Sequence, residues 1–346
     1  MTFTGTRFLA VTSNEPATGL LLESTDGRSW DRMTPLETDG WTIGPALLAT
    51  DRQGVIAIGG GNGGPIAVWR AEDGRSWARV ADQDAFQMRD RAFEGIEAVI
   101  PMEGGWLAVG GGQYNDTGPA LVRAIVLTSP DGLYWTREAD RAAFTHAVMK
   151  GIVRTTAGYA AVGAVIGSSA AGVSELHAAL WTSLDGLDWS LSTTPPAFDL
   201  PTSTGRTDVI LDGITVIGDR MVVVGHVDRY DVGESSPRES MAITWWSDGG
   251  TWTPVQIGPY NDVGPLSIIA TPGGFLVLGA AIDARCAGGA WASPDGTSWR
   301  CFASETLFDG FEITGFAASP DREVLVGTGN TPGTDGVSAT WTLARH

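Results

Sequence analysis

The sequence predicts an all-β fold built from repeated four-stranded units, and three recurring patterns along its 346 residues support this prediction. A short box containing Asp, Gly and Trp occurs six times, an apolar run often flanked by Gly occurs seven times, and a short strand usually ending in Trp also occurs seven times. A repeat of about 50 residues that holds four strands is typical of a β-propeller. We therefore predict a single domain over residues 1–346, a seven-bladed β-propeller of four-stranded antiparallel blades, with six blades as the alternative.

Each repeat is expected to contain four strands, A to D, in chain order. Strand A precedes the Gly-flanked apolar run that forms strand B, for example GWLAVG at 105–110. Strand C is the run that ends in Trp, for example AALW at 178–181, and strand D carries the Trp that follows the box. These runs are too short for helices and are rich in Val, Ile, Ala and Trp, so they indicate strands. The chain enters at a B strand and leaves after a C strand, so one A and one D strand are unassigned, and residues 1–4 can supply part of one.

The box predicts a tight turn between strands C and D. A carboxylate at the turn can accept its N–H groups, and the Gly that follows can adopt a positive φ. The Trp after the turn offers a large flat surface for packing between neighbouring sheets. We therefore assign the box carboxylates a structural role and not a catalytic or calcium-binding one. They are Asp26, Asp73, Asp131, Asp185, Asp248 and Asp295.

The charge of the chain excludes several classes of partner. With 22 basic and 40 acidic side chains, the net charge is 22 − 40 = −18, which argues against binding to nucleic acid or to anionic membranes. No stretch approaches the roughly 18 apolar residues that a spanning helix needs. No HExxH or CxxC motif occurs, so we expect no metal and no cofactor, and we expect a monomer.

The longer and more irregular connections predict the ligand-binding face. In an up-and-down blade the B–C and D–A loops share one face, while the boxes and the A–B turns share the other. Function collects on variable loops held by a rigid scaffold, so we expect a ligand on the B–C/D–A face. The internal His residues fall there, and the phrases QYNDTGP and PYNDVGP each add a Tyr that can stack on a sugar ring. The candidate ligand-binding residues of these loops are His146, His226, Arg206, Tyr230, Tyr114 and Tyr260.

The A strands carry the sharpest chemical signal. Six A strands have a Gly at an equivalent position, and the residue before it is charged in four of the six copies, at Glu94, Lys150, Asp212 and Asp309. Because A strands surround the channel of a propeller, these side chains are expected to converge over its mouth. Asp212, Glu94 and His226 are the candidate acid or base groups, while Lys150 and Asp309 are candidate ligand-binding residues. The alternative is an ion-pair ring that plugs the channel mouth.

The box resembles the Asp-box, or BNR repeat, of sialidase-like propellers, through its Ser/Thr, Asp, Gly and Trp positions in six copies. The resemblance implies the propeller fold, and members of that superfamily are hydrolases, assembly factors, sorting receptors and lectins. The Arg-Ile-Pro motif of the sialidases is absent, so no sialidase catalytic residue can be assigned. The chain also has length for only one propeller, whereas box-containing xyloglucanases use two that face across a cleft.

Three functions follow from these observations. We expect a secreted propeller that binds a carbohydrate or other small polar ligand on the B–C/D–A face over the channel mouth. The alternatives are a glycan-active enzyme, either a glycoside hydrolase or a polysaccharide lyase, on the same face, and a protein-interaction or assembly scaffold.

The two cysteines bear on the compartment. Cys286 and Cys301 flank the C–D turn of the sixth repeat almost symmetrically, which predicts a disulfide across that hairpin and hence an oxidising environment. The first residues, MTFTGTRFLAV, show neither a basic segment nor a cleavage site, so no secretion signal is expected within this sequence.

Overall fold

The described residues form antiparallel sheets, each made from strands that follow one another along the chain. The fold is an all-β propeller of four-stranded antiparallel blades, as predicted. The computed structural model describes residues 1–12, 20–33, 36, 45–61, 64–87, 93–114, 121–168, 174–192, 195–200, 205–259, 266–279, 290–301, 311–319, 322–329 and 337–344. The chain divides into two compact units, residues 1–141 with 314–346 and residues 142–313.

The first unit contains three complete four-stranded blades. Blade 1 is β1 (Thr2–Phe3), β2 (Phe8–Thr12), β3 (Leu20–Ser24) and β4 (Asp31–Arg32). Blade 2 is β5 (Pro45–Asp51), β6 (Gly54–Gly61), β7 (Gly64–Ala71) and β8 (Ala78–Arg79). Blade 3 is β9 (Phe93–Met102), β10 (Gly105–Tyr114), β11 (Leu121–Ser129) and β12 (Thr136–Arg137). Strand β1 pairs with β2, so residues 1–4 do supply part of an A strand, as the sequence suggested.

The second unit contains the next three blades. Blade 4 is β13 (Ala147–Thr155), β14 (Gly158–Ser168), β15 (Ser174–Ser183) and β16 (Trp189–Leu191). Blade 5 is β17 (Arg206–Ile217), β18 (Arg220–Tyr230), β19 (Glu239–Ser247) and β20 (Thr253–Pro259). Blade 6 is β21 (Ser267–Thr271), β22 (Gly274–Leu278), β23 (Ala290–Ser293) and β24 (Arg300–Cys301).

The last sheet has three strands, β25 (Phe311–Ala318), β26 (Arg322–Gly329) and β27 (Val337–Ala344). Within the described part of the chain, six sheets therefore have four strands, in agreement with the six-blade alternative. The seventh sheet has the A, B and C strands of a repeat and no fourth strand among the described residues.

The strands extend further into the loop face than the apolar runs predict. Strand β18 continues to Tyr230, and β15 already begins at Ser174, so His226 and His177 are strand residues and not loop residues. The reason is that polar side chains alternate with apolar ones at the loop ends of these strands, and such alternation continues a half-buried strand. His146 does lie in a turn, where it is exposed and has a positive φ of 54°.

Three short 3₁₀ turns are the helical elements of the described residues: Asp84–Phe86, Ala142–Phe144 and Pro196–Phe198. Each ends in a buried Phe. The indole N–H of Trp181 donates to the carbonyl of Ala143 (2.8 Å), and that of Trp245 donates to the carbonyl of Ala197 (2.9 Å). The second and third of these D–A connections are therefore each fastened to the C strand of the next blade. No helix in the described residues is long and apolar enough to cross a membrane.

The boxes form the turns that the sequence predicts. At the first box the Oδ1 atom of Asp26 accepts the N–H groups of Arg28 and Ser29, and the Gly27 N–H donates to the Ser24 hydroxyl. The boxes of Asp73, Asp131, Asp185 and Asp295 have matching carboxylate contacts with turn N–H groups. In the shorter fifth box, Asp248 instead forms a bidentate ion pair with Arg220, with both distances 2.7 Å.

Candidate functional site

The charged groups that the structure brings together lie on the A and B strands of blades 4 and 5, at the loop-face end. A β-bulge interrupts the pairing of β13 with β14 at Lys150, and another interrupts the pairing of β17 with β18 at Asp212. A bulge leaves one residue out of the ladder and redirects its side chain. The two bulged residues therefore point out of their sheets toward one another, and Lys150 Nζ lies 3.6 Å from Asp212 Oδ1.

Asp212 and His226 form the centre of this group. The Nδ1 atom of His226 donates to Oδ2 of Asp212 at 2.6 Å, a short charge-assisted hydrogen bond. The side chain of Asp212 is only 1% exposed and that of His226 only 9%. On the other side of the imidazole, Nε2 lies 4.0 Å from Oδ2 of the buried Asp228. His226 is therefore held between two buried carboxylates.

The electrostatic environment favours the charged form of His226. Burial alone would lower its pKa. The hydrogen bond that His226 donates to Asp212, together with the negative charges of Asp212 and Asp228, outweighs burial and the opposing charge of Lys150, and the pKa of His226 is raised above its ordinary value. His226 thus remains protonated to a higher pH than a solvent-exposed histidine, and it can donate a proton or a hydrogen bond.

A second ion pair extends the group along the same two strands. Arg206 lies opposite Tyr230 in the register of β17 and β18, and its guanidinium is 3.8 Å from the centre of the Tyr230 ring. Its Nη2 atom is 3.2 Å from Oδ2 of Asp208, and Oδ1 of Asp208 accepts the backbone N–H of Leu176 at 3.0 Å. Burial, the largest influence, raises the pKa of the Tyr230 hydroxyl. Arg206 therefore covers one face of Tyr230, a residue that was predicted to bind the ligand.

A cavity of about 450 Å³ opens beside this group on the loop face, between blades 4 and 5. Its polar groups include Glu175, His177 and Thr207, and its apolar wall includes Phe198 and Val209. The imidazole Nε2 of His177 lies 3.9 Å from a carboxylate oxygen of Glu175. A few polar groups on an apolar wall, within this range of volume, are typical of sites for small ligands. Sequence reasoning missed Glu175, although its spacing of two from His177 puts both side chains on one face of β15.

The other predicted site residues do not join this group. In blade 3 the bulged residue is Glu97 and not Glu94. Strand β10 pairs with Ile96 and Ala98 of β9 and skips Glu97, which therefore occupies the position equivalent to Lys150 and Asp212. The Gly-based alignment of Glu94 with Lys150 and Asp212 was therefore wrong by three residues. Exposed His146 makes no described contact with the charged group. The side chains of Glu94 and Tyr114, and the whole of Tyr260 and Asp309, lie outside the described residues.

The structure describes one of the two cysteines of the predicted disulfide. Cys301 lies opposite Trp291 in the pairing of β24 with β23 and is disulfide-bonded. Its predicted partner Cys286, the other cysteine of the chain, lies outside the described residues. Among the described residues, no three His, Cys, Asp or Glu side chains are grouped as metal ligands would be. The expectation of a site without metal stays a prediction.

Comparison with known proteins supports the fold and no finer assignment. No family model matches the chain, and no curated protein matches it. A structure of an ulvan lyase of polysaccharide lyase family 25, bound to -[GlcA(1-4)Rha3S]-, is similar with a TM-score of 0.58 and 11% identity over 99% of this chain and 90% of that one. A structure of YCF48 bound to D1 peptide has a TM-score of 0.52 and 16% identity over 94% of this chain and 89% of that one. The chain has the β-propeller fold. At these identities the likeness shows the fold alone, and the resemblance to the Asp-box family stays a prediction.

Proposed function

We propose that this propeller binds an oligosaccharide on the loop face of blades 4 and 5. The observation that carries the proposal is the arrangement of charge there. The carboxylates of Asp212 and Asp208 are almost fully buried, with side chains 1% and 8% exposed, whereas Lys150 and Arg206 are 26% and 25% exposed. The buried acids hold the two cations in place, and about a quarter of each cationic side chain stays exposed to solvent. An otherwise strongly acidic chain thus presents two positioned cations on the neighbouring blades 4 and 5.

Fixed cationic donors suit a ligand that is rich in hydroxyl and carboxylate oxygens. Hydrogen bonds to charged groups contribute about 1.5–3 kcal/mol each, and a preorganised side chain loses little entropy on binding. The cavity beside Glu175 and His177 offers room for an adjoining sugar ring. Because the ulvan lyase is bound to a glucuronate-containing polymer, an oligosaccharide that contains glucuronic acid is the first ligand to test.

The test is calorimetric titration of the full chain with that oligosaccharide. Lys150→Met removes the exposed ammonium and keeps most of the stem, so affinity should fall by about tenfold to a hundredfold, the loss of one charged hydrogen bond. Arg75→Met is the matched control, because it removes one positive charge from an exposed ion pair in the second box, away from the loop face. Equal affinities for the two variants, or no binding by the wild type to neutral and acidic oligosaccharides alike, would contradict the proposal.

A second candidate function is glycan cleavage at the same place, and the hydrogen bond between Asp212 and His226 is the observation that favours it. A buried carboxylate that orients an imidazole is a common arrangement for general acid–base chemistry. In this arrangement His226 would transfer the proton and Asp212 would position it, which differs from the sequence-based assignment of Asp212 as the acid or base. Release of reducing ends, or of an unsaturated product that absorbs in the ultraviolet, would be lost in His226→Gln and kept in His177→Gln. Binding without product formation favours a binding protein.

We further propose that the protein functions in an oxidising, extracytoplasmic compartment. The disulfide at Cys301 supports this proposal, because such bonds persist where thiols are not kept reduced. The test is fractionation of the native host followed by detection of the chain with an antibody. Recovery in the cytoplasmic fraction with both thiols reduced would contradict it.

A further inference from the structure

Another cavity of the second unit lies on the opposite face, among the boxes and the A–B turns, and no residue of the candidate site contributes to it. It has a volume of about 780 Å³ and lies between blades 4 and 5. Its apolar lining includes Tyr159, Val216 and Met221, and apolar atoms contribute most of its accessible surface. We propose that this cavity is a docking site for a segment of another protein that carries both basic and apolar side chains.

Exposed apolar side chains lie in, or next to, the segments that line this cavity. Leu184 lines it and is 84% exposed, and Leu187, Leu191 and Ile217 are each adjacent in sequence to a lining residue and are 39–42% exposed. These four make up more than half of the seven large apolar side chains that are exposed in the described part of the chain. Scattered exposed apolar residues are ordinary, whereas a cluster around a concavity marks an interaction site.

The position of Leu184 is unusual among the boxes. The residue between the Ser/Thr or equivalent position and the box Asp is Thr25, Glu72, Pro130 or Pro294 in the other full-length boxes. A turn therefore does not require Leu there, and Leu184 makes no contribution to the core of its blade because its side chain is in solvent. Burial against a partner gives such a side chain a favourable free energy that it does not obtain in the isolated chain.

The charge around the cavity determines the kind of partner. Four exposed aspartates line it, Asp185, Asp188, Asp219 and Asp248. Arg220 is bonded to Asp248. A net negative rim around an apolar floor is complementary to an apolar side chain flanked by Lys or Arg. The spread of four apolar side chains beyond the cavity favours an extended peptide segment over a small amine.

The experiment measures the binding of short fluorescein-labelled peptides to the full chain by fluorescence anisotropy. The first peptide alternates Arg with Leu, the second has Ser in place of each Leu, and the third has Glu in place of each Arg. We expect tight binding of the first peptide alone, weakened by added salt because the rim attraction is screened. Equal binding of the Arg/Leu and Arg/Ser peptides would show attraction to the overall negative charge only, and would overturn the proposal.

Two substitutions test the location of the site. Leu184→Ser should weaken binding of the Arg/Leu peptide by about tenfold or more, the effect of one buried Leu side chain. Val232→Ser is the matched control, because Val232 is also 84% exposed but lies in the loop between β18 and β19, on the other face. Both positions are exposed, so both variants should keep the wild-type melting temperature. Equal affinities for the two variants would overturn the assignment. Oligosaccharide binding at Lys150 should be unchanged in Leu184→Ser, so the two proposals can fail separately.

Discussion

Replacement of Asp212 by Asn should reverse the pH dependence that His226 gives to stability. In the wild type the pKa of His226 is raised in the folded state, because Asp212 and Asp228 outweigh the burial that would lower it. A group with a raised folded pKa contributes stability that is fully present below its unfolded pKa, about 6.5 for His, and is lost as pH rises through the folded value. The contribution of His226 is therefore greatest in mildly acidic solution.

The magnitude follows from the geometry of the pair. The 2.6 Å bond is short, both side chains are more than nine-tenths buried, and one partner is charged. A hydrogen bond to a charged group contributes about 1.5–3 kcal/mol, so Asp212→Asn should lose that amount of unfolding free energy near pH 6. Asn has almost the same shape as Asp, so little of the loss should come from packing. With the carboxylate gone, burial becomes the dominant influence and lowers the pKa of His226, so stability now falls as pH falls.

The assay is denaturant unfolding of both proteins at about pH 6 and about pH 8.5, a range that spans the ordinary pKa of His. We expect the difference in unfolding free energy between wild type and Asp212→Asn to be larger at the lower pH. Asp219→Asn makes the same chemical change at an exposed position and should show no such dependence. A difference that is equal at both pH values, or larger at the higher one, would refute the assignment of a protonated His226 held by Asp212.

Three further predictions concern the scaffold. Phe198→Ala should cost about 3–5 kcal/mol of unfolding free energy, because the ring is 1% exposed and packs 5.3 Å from the ring of Trp245; an exposed control such as Leu191→Ala should cost far less. The turn N–H groups lower the pKa of Asp73 to about 2. The contribution of Asp73 to stability is therefore present above the ordinary Asp pKa and is lost as pH falls through about 2. The difference in melting temperature between wild type and Asp73→Asn should shrink over that range. A thiol assay in denaturant without reductant should find no free thiol in the wild type and one in Cys301→Ser, and two in the wild type would contradict the disulfide.

The strands were predictable where the sequence limits the backbone. Four B strands begin at Gly54, Gly105, Gly158 and Gly274, where the Gly-flanked runs placed them. The reason is steric: a Cβ atom at Gly54 would lie 2.5 Å from the carbonyl oxygen of Ala71 on the neighbouring strand. The loop ends of the strands were not predictable from apolar runs. His226 and Asp228 are polar, and only the alternation with Val227 and the pairing with β17 show that β18 continues past them.

The candidate site was partly predictable for a related reason. Lys150 and Asp212 were identified because each precedes a Gly in an A strand, and the structure does place them together. The equivalence failed for Glu94 because a bulge position depends on which residue of the B strand lies opposite, and a shared Gly does not specify that pairing. Glu175 could have been found from its spacing of two from His177, whereas the stacking of Arg206 on Tyr230 depends on the pairing of β17 with β18, which no local pattern indicates.

The glycines after the bulges connect the fold to the proposed function. A Cβ atom at Gly151 would lie 3.0 Å from the Cα atom of Gly213, so any larger residue there would push β13 away from β17. The close approach of these strands is what brings the side chain of Lys150 within 3.6 Å of the Asp212 carboxylate. If the strands were further apart, Asp212 would keep its hydrogen bond with His226 but lose its contact with Lys150. Lys150 would then lack the anion that positions it. We therefore expect Gly151 to be needed for the proposed ligand binding as well as for blade packing, although it has no side chain to contact a ligand.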